Sequence, residues 1–199
     1  MEWIVVLLVI AALVAVIVVL LRQRRAAEPQ ARPPAVPSDP FADTGTGGDP
    51  RSLKAGDMVE YLGDRSWVRG SLRLSEGGST WSEHFLDLSE QGSPKRWLSV
   101  EEDPDLQLAM WTSLPESDLT PHSPVLEFEG VTYRLQERGT ASYRSEGTTG
   151  LRPQGGMDYA DYEAPDGRQL SFERFDHGRW EPSLGTPVPN GSLTIYPGS

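Results

Sequence analysis

Downstream of Leu53, apolar side chains recur at every second position in short runs that turn residues separate. This period of two is typical of β-strands with one buried face, and no window of about a dozen residues carries a helical stripe. The apolar positions are Val68, Leu72, Leu74, Leu98, Val100, Leu106, Leu108, Met110, Leu170 and Phe172. Glycine provides the positive φ of tight turns at Gly77-Gly78, Gly167, Gly178 and Gly191. The pattern predicts an all-β soluble domain folded as an antiparallel meander.

The predicted domain spans residues 53–199, which is 147 residues. A chain of about that length buries about 68–70% of its unfolded surface and is stable without metal or disulfide. Its two halves, 53–114 and 125–199, echo one another: Leu98-Ser99-Val100-Glu101 matches Leu170-Ser171-Phe172-Glu173, and Trp81-Ser82-Glu83 matches Tyr159-Ala160-Asp161. Coincidence among similar strands is the alternative. An internal duplication predicts two related sheets around one core, as a sandwich or a closed barrel.

The first 25 residues have a different composition. Residues 3–21 are 19 consecutive apolar side chains, enough for a transmembrane α-helix of about 28 Å. A cleaved signal peptide is the alternative, but its basic flank would come before the apolar core, whereas Arg22, Arg24 and Arg25 follow it. Because basic residues stay on the cytoplasmic side, we expect a single-pass cell-membrane protein with its N-terminus out and its domain cytoplasmic. Residues 3–21 would then contact the lipid bilayer.

Residues 26–52 contain six prolines, three glycines and hardly any large apolar side chain. Such a segment buries too little surface to offset the entropy of ordering, so it is predicted to be a disordered tether. The fold is expected to begin near Leu53.

The net charge of −11 lies wholly in the predicted domain. Residues 1–52 hold five arginines and five acids, which leaves 13 basic and 24 acidic side chains beyond them. This field repels phosphate backbones, so no nucleic-acid partner is expected, whereas a small cation or a basic protein is favoured. Cysteine is absent, which excludes disulfides and thiolate chemistry within this sequence.

Two Ser-x-Glu pairs are the candidate ligand-binding residues. Alternation places Ser99 and Glu101 on the strand face opposite Leu98, and the echo places Ser171 and Glu173 in the corresponding position. The two pairs would line one groove, and Trp81 and Tyr159 would add aromatic faces for cation-π contact with an organic cation. The alternatives are a solvated outer face for the polar residues and a core role for the aromatic ones.

Signals for catalysis, metal binding and cofactors are weak. The acidic run of Glu101, Glu102, Asp103 and Asp105 lacks the spacing of a calcium loop, and the three histidines have no metal-ligand spacing. A phosphate-binding glycine loop, a Gly-x-Ser-x-Gly elbow and a cysteine nucleophile are all missing. We therefore predict no catalytic residue, no metal site and no cofactor, although an enzyme with an unfamiliar site stays open.

The region from Lys54 to Gly198 resembles the bacterial family named domain of unknown function 4178, met mostly in actinobacteria. The stretches that carry the resemblance are residues 56–61, 96–102, 131–135, 139–141 and the pair Trp180-Glu181. The resemblance implies no activity and no catalytic residue. It implies neighbouring genes for small membrane proteins and an aminopropyltransferase-like enzyme of polyamine metabolism, which is a hint about partners.

These observations leave three hypotheses. The first is a membrane-anchored cytoplasmic binding or adaptor module that recognises another protein, such as a membrane neighbour. The second is a sensor or binder of a small, polyamine-like cation. The third is an enzyme.

Overall fold

The computed structural model describes residues 48–87 and 94–198. Within those two ranges the chain forms eleven strands and one short 3₁₀ helix, Pro50–Ser52. The strands are β1 (Met58–Tyr61), β2 (Asp64–Glu76), β3 (Ser79–Asp87), β4 (Arg96–Glu102), β5 (Leu106–Ser113), β6 (Val125–Phe128), β7 (Val131–Gly147), β8 (Gln154–Glu163), β9 (Gln169–Phe175), β10 (Glu181–Pro187) and β11 (Thr194–Tyr196). The described part is an all-β antiparallel domain, as the alternation predicts.

The predicted transmembrane helix, its orientation and the first part of the tether, up to residue 47, lie outside the described residues. None of the described segments is a helix of the length and hydropathy that crossing a membrane requires. Ordered contacts begin before the predicted start at Leu53, because Arg51 forms two hydrogen bonds of 2.8 Å with the carboxylate of Glu102.

Hydrogen bonding closes the sheet into a ring. Eight strands follow one another in the order β2, β3, β4, β5, β10, β9, β8, β7, and β7 pairs again with β2. The closing ladder matches Gly70 with Gly147 and Ser75 with Ser142. The remaining strands extend the ring at its margins, with β1 and β11 beside β2 and β6 beside β7. We call the eight-stranded ring the closed sheet.

Both halves of the chain build the same succession of antiparallel hairpins. The turn at Leu62-Gly63 matches the turn at Glu129-Gly130, and all four residues have positive φ. The β-bulge at Arg69 matches the bulge at Gln136 with the same offset of 67 residues. The two halves therefore repeat one strand order.

Apolar residues on the outer face of the closed sheet form two cores. In the first half, Leu98 and Val100 pack under Leu53, Val188 and Ile195, so the chain termini of the domain cover this core. The second core has the following members: Leu126, Tyr133, Ala160, Tyr162, Ala164, Leu170 and Phe172. Because alternate side chains point to opposite faces, the polar face of the same strands is turned into the ring. The interior of the closed sheet therefore combines polar side chains with a third hydrophobic core, whose members are Leu72, Leu74, Ala141, Tyr143, Met157 and Tyr159.

Candidate functional site

A cavity of about 220 Å³ lies inside the closed sheet. Its walls come from seven strands, and it brings together all six residues predicted as ligand-binding: Trp81, Ser99, Glu101, Tyr159, Ser171 and Glu173. The remaining lining residues are Glu76, Ser79, Glu83, Asp103, Trp111, Glu137, Met157 and Asp161. We call this space the interior cavity. Its wall is rich in carboxylates and aromatic rings.

Strand register sets which side chains lie beside one another. Ser99 on β4 faces Glu83 on β3, and Glu101 faces Trp81. On the other wall, Glu173 on β9 lies opposite Tyr159 on β8. Directly opposed residues in antiparallel strands have their Cβ atoms about 4.5–5.5 Å apart and point to the same face. Pairing therefore brings acidic and aromatic side chains together on both walls.

Glu83 and Glu173 meet across the interior cavity, although β3 and β9 stand on opposite sides of the ring. Their carboxyl groups lie close enough to change each other's pKa, and one proton shared between them would satisfy both groups. The indole nitrogen of Trp81 donates a further hydrogen bond of 3.3 Å to Glu83. Burial raises the pKa of both carboxyl groups, and for Glu173 the nearby charge of Glu83 raises it further. We call these residues the carboxyl pair.

Two more acids contribute negative charge to the interior cavity. Burial raises the pKa of Asp161 to about 6, against a hydrogen bond with Ser171 that lowers it. Glu101 stands at the exposed mouth, where partial burial and the charges of Glu137 and Asp103 raise its pKa. The acids therefore repel one another and hold protons more tightly than they would in water.

Aromatic rings form the apolar part of the wall. Trp81 and Tyr159 meet edge to face with ring centroids 5.9 Å apart. The indole nitrogen of Trp111 donates a hydrogen bond of 2.9 Å to Ser99, and its ring lies directly over Gly185 on the neighbouring strand. A side chain at Gly185 would push this ring into the cavity. Ser99 and Gly185 thus position Trp111.

Tyr159 links two acids at the mouth. Its hydroxyl donates to Glu76 at 2.7 Å and lies 3.2 Å from Glu137, and Glu76 also accepts a hydrogen bond from the backbone of Thr140. Burial, followed by the hydrogen bond to Glu76, raises the pKa of the Tyr159 hydroxyl. Tyr159 therefore stays protonated and acts as a donor at neutral pH.

A second, smaller cavity of about 120 Å³ continues on the other side of the carboxyl pair. It shares Glu83, Trp111, Ser171 and Glu173 with the interior cavity. Lys95 and Glu181 stand in its wall. The carboxyl pair is thus the partition between two adjoining spaces within the closed sheet.

Glu83 and Asp161 are two of the site residues that our sequence reasoning did not single out. The signal was present, because each is the last residue of the echoed stretches that begin at Trp81 and Tyr159. His84 points to the other face of β3, where it is fully buried between Ser71 and Ser82 at 2.8 and 3.1 Å. It plays no part in the interior cavity.

The arrangement holds a proton and offers negative charge to a cation. Across the two described ranges, 48–87 and 94–198, no three metal-ligating side chains are grouped closely enough to hold a metal ion. The carboxyl pair, Asp161 and the aromatic rings would instead surround a cation that uses hydrogen bonds and π-contact.

Comparison with known proteins places this closed, acid-lined domain in a family. Residues 54–190 match the family described as "Domain of unknown function (DUF4178)", and the chain belongs to that family. It is 42% identical over 176 residues to Uncharacterized protein Rv2597 of Mycobacterium tuberculosis, covering 82% of this chain and 83% of the relative. Uncharacterized protein Mb2628 of Mycobacterium bovis is similar to the same extent. No solved structure matches the chain.

Proposed function

We propose that this protein is a membrane-tethered binding module whose interior cavity binds a small organic cation. The observation that carries the proposal is the carboxyl pair, which places two buried acids beside Trp81 and Tyr159 in one enclosed space. Residues 3–21 would anchor the chain in the cell membrane, and the three arginines after them favour a cytoplasmic domain.

Electrostatics support a cationic ligand. Two carboxyl groups that share one proton carry a net charge of −1, and a bound ammonium would replace that proton and pair with both acids. Trp81, Tyr159 and Trp111 present rings within the same space, and ring faces attract cations most strongly where water is excluded. An anion would meet Glu83, Asp161 and Glu173 without a basic partner in the interior cavity.

The size of the cavity supports a small or narrow ligand. Drug-sized ligands occupy pockets of about 300–1,000 Å³, whereas this cavity is about 220 Å³. An alkylammonium group fits such a space, and so does one end of a linear polyamine whose other amines contact Glu101, Asp103 and Glu137 at the mouth. The second cavity beyond the carboxyl pair would admit a longer chain once the pair separates.

The test is the thermal stability of the full-length protein in detergent with spermidine at low salt. At about 100 times Kd a ligand stabilises the folded state by about 2.7 kcal/mol, which corresponds to a rise in Tm of about 5–10 °C for a domain of this size. Glu173→Gln should remove most of the rise. Glu127→Gln, an equal charge change at an exposed residue of β6, should retain it.

No rise at millimolar spermidine would argue against a cation site, and so would equal losses in the two variants. The anchor has its own test, because a C-terminal alkaline phosphatase fusion that is active, beside a dark fluorescent-protein fusion, would place the domain outside the cytoplasm.

A protein partner is the second candidate function, favoured by the exposed hairpin of β1 and β2. Leu62 at its tip is 84% exposed and has positive φ, which is strained for a leucine. Trp67 on the same hairpin is 53% exposed. Large exposed apolar side chains at a strained turn are typical of contact surfaces. Crosslinking in cells should then capture a membrane neighbour with the native protein, and the double variant Leu62→Ser, Trp67→Ser should lose it.

A further inference from the structure

A second concave surface lies on the outside of the closed sheet, where β2 of the first half pairs with β7 of the second. It has a volume of about 880 Å³ and extends from Arg51 to Arg152. We call it the outer cleft. Its basic lining residues are Arg51, Arg73, Arg144 and Arg152. Since the protein is acidic overall, four arginines in one cleft are a local reversal of charge.

Arg73 and Arg144 are directly opposed across the β2–β7 ladder. Like charges in opposed positions of an antiparallel pair destabilise the sheet. Arg73 is partly neutralised, since it lies 3.3 Å from a carboxylate oxygen of Glu146 and donates a hydrogen bond of 2.7 Å to the carbonyl oxygen of Leu53. Arg144 is exposed and, within residues 48–87 and 94–198, has no carboxylate within 4.0 Å. The pair lacks a counter-charge between its two guanidinium groups.

The acids that line the outer cleft either contact an arginine other than Arg144 or also line the interior cavity. Glu102 accepts two hydrogen bonds from Arg51. Glu146 contacts Arg73, and Glu101 also lines the interior cavity. At the far end, Arg152 is 2.6 Å from Asp176. The one guanidinium without an acidic partner in the described part of the cleft is therefore that of Arg144.

Hydroxyl groups complete a donor-rich floor. Ser75 and Ser142 lie on either side of the ladder with their hydroxyl oxygens 2.9 Å apart, and Thr80 lies nearby in the lining. Guanidinium forks match the oxygens of a phosphate in geometry and charge, and serine or threonine hydroxyls add hydrogen bonds. A tetrahedral dianion is the chemistry that such a surface recognises best.

We propose that the outer cleft binds a phosphate monoester, with Arg73 and Arg144 donating hydrogen bonds to its oxygens and the Ser75 hydroxyl donating one more, while the Ser142 hydroxyl donates to Ser75. In this arrangement the anion supplies the counter-charge that the opposed arginines lack. Glu146 competes with the phosphate for Arg73, so it sets an upper limit on affinity. This site adjoins the interior cavity, with which it shares Trp81 and Glu101, but its arginines lie outside that cavity and the proposal does not depend on cation binding.

The experiment measures phosphate binding by calorimetry to the full-length protein in detergent, with inorganic phosphate as the probe and chloride at equal ionic strength as the reference. Arg144→Gln should weaken binding at least about tenfold, because a hydrogen-bonded charge pair is lost. Glu146→Gln should tighten binding, because it frees Arg73. Arg134→Gln, which removes the same charge from an exposed position on β7 remote from the cleft, should change the Kd by less than about twofold.

Three results would overturn the proposal. One is binding no stronger than that of chloride, another is equal weakening by Arg144→Gln and Arg134→Gln, and the third is weaker binding by Glu146→Gln. All three positions retain part of their surface in water, and circular dichroism of each variant checks that the fold is retained.

Two sources would present this chemistry, a soluble phosphate monoester and the headgroup of phosphatidic acid. Arg51 at one end of the outer cleft is the penultimate residue of the predicted tether, which favours the lipid if residues 3–21 span a membrane. Co-sedimentation with vesicles containing phosphatidic acid, competed by glycerol phosphate, separates the two. Vesicle binding that Arg144→Gln abolishes assigns the lipid, and calorimetric binding of glycerol phosphate without vesicle binding assigns the soluble ester.

Discussion

Glu83 and Glu173 meet in the interior cavity of the closed sheet, although their strands belong to opposite walls of the ring. Burial raises the pKa of both carboxyl groups, which favours one proton shared between them. This contact ties the two halves of the chain together and makes the interior cavity sensitive to pH. A bound cation that replaces the proton would change the interaction between the two carboxyl groups. Loss of the proton to solvent at higher pH would change the same interaction.

Glu173→Gln should change how stability depends on pH. The pKa of Glu173 is raised in the folded state by burial, so its protonation stabilises the fold below the unfolded pKa of 4.5 and this contribution is lost as pH rises through the folded pKa. Glutamine retains the hydrogen bond without titrating. The difference in Tm, variant minus native, should therefore increase between pH 5 and pH 8. A tenfold change in proton affinity corresponds to about 1.4 kcal/mol, or about 3–6 °C in Tm.

Thermal unfolding of both proteins across this pH range measures the difference directly. The comparison is needed because the buried imidazole of His84 contributes with the opposite sign to the pH dependence of the native protein's stability. A difference that stays constant from pH 5 to pH 8 would contradict the shared proton.

Cation binding should release a proton. If an ammonium replaces the proton of the carboxyl pair, the apparent affinity for spermidine increases with pH, by up to about tenfold for each pH unit below the relevant pKa. Calorimetry at pH 6 in two buffers of different ionisation enthalpy should give different observed binding enthalpies. The difference between the two binding enthalpies, divided by the difference between the two buffer ionisation enthalpies, gives the number of protons released. Equal enthalpies in the two buffers would mean that the cation does not reach the pair.

The strands could be predicted from the sequence, but the closure of the sheet could not. Alternation identifies which side chains share a face, as it did for Ser99 with Glu101 and for Ser171 with Glu173. It does not identify which face points into the ring. The usual expectation is that the apolar face of a strand is the enclosed one. Leu53 and Val188 cover the apolar face of β4 from outside, so its polar face lines the interior. On β2, by contrast, Leu72 and Leu74 place the apolar face inside.

The contact between Glu83 and Glu173, which joins the two halves, could not be predicted from the sequence either. Glu83 and Glu173 are 90 residues apart, and they meet only because β2 pairs with β7 and β5 pairs with β10. Local turn chemistry specifies each hairpin but carries no information about those two ladders.

Gly185→Ala should disturb the interior cavity without a change in charge. A Cβ atom at this position would lie 2.6 and 2.8 Å from ring atoms of Trp111, so the indole must move inward and lose its hydrogen bond to Ser99. Overpacking of this kind costs about 1–3 kcal/mol. Gly156→Ala is the matched control on β8, since the nearest atom to its Cβ is 4.0 Å away. Urea denaturation should show a lower midpoint for Gly185→Ala alone, and equal midpoints would contradict the proposed role of Gly185.

His84 should determine the acid side of the stability profile. Burial, aided by the charge of Arg73, lowers the pKa of His84 to about 3, so the folded protein keeps the ring neutral between its two serine partners. The unfolded chain takes up a proton near pH 6.5, and the contribution of His84 is therefore full above that pH and is lost as pH falls towards 3. His84→Gln should be less stable than the native protein at pH 7 by about 1–3 kcal/mol through its altered buried hydrogen bonds. The deficit should shrink between pH 7 and pH 4, because glutamine does not titrate.

His122→Gln, at an exposed histidine, should change the free energy of unfolding by less than about 0.5 kcal/mol. A deficit for His84→Gln that is the same at pH 7 and pH 4 would show that the folded protein accepts a proton at His84 as readily as the unfolded chain does.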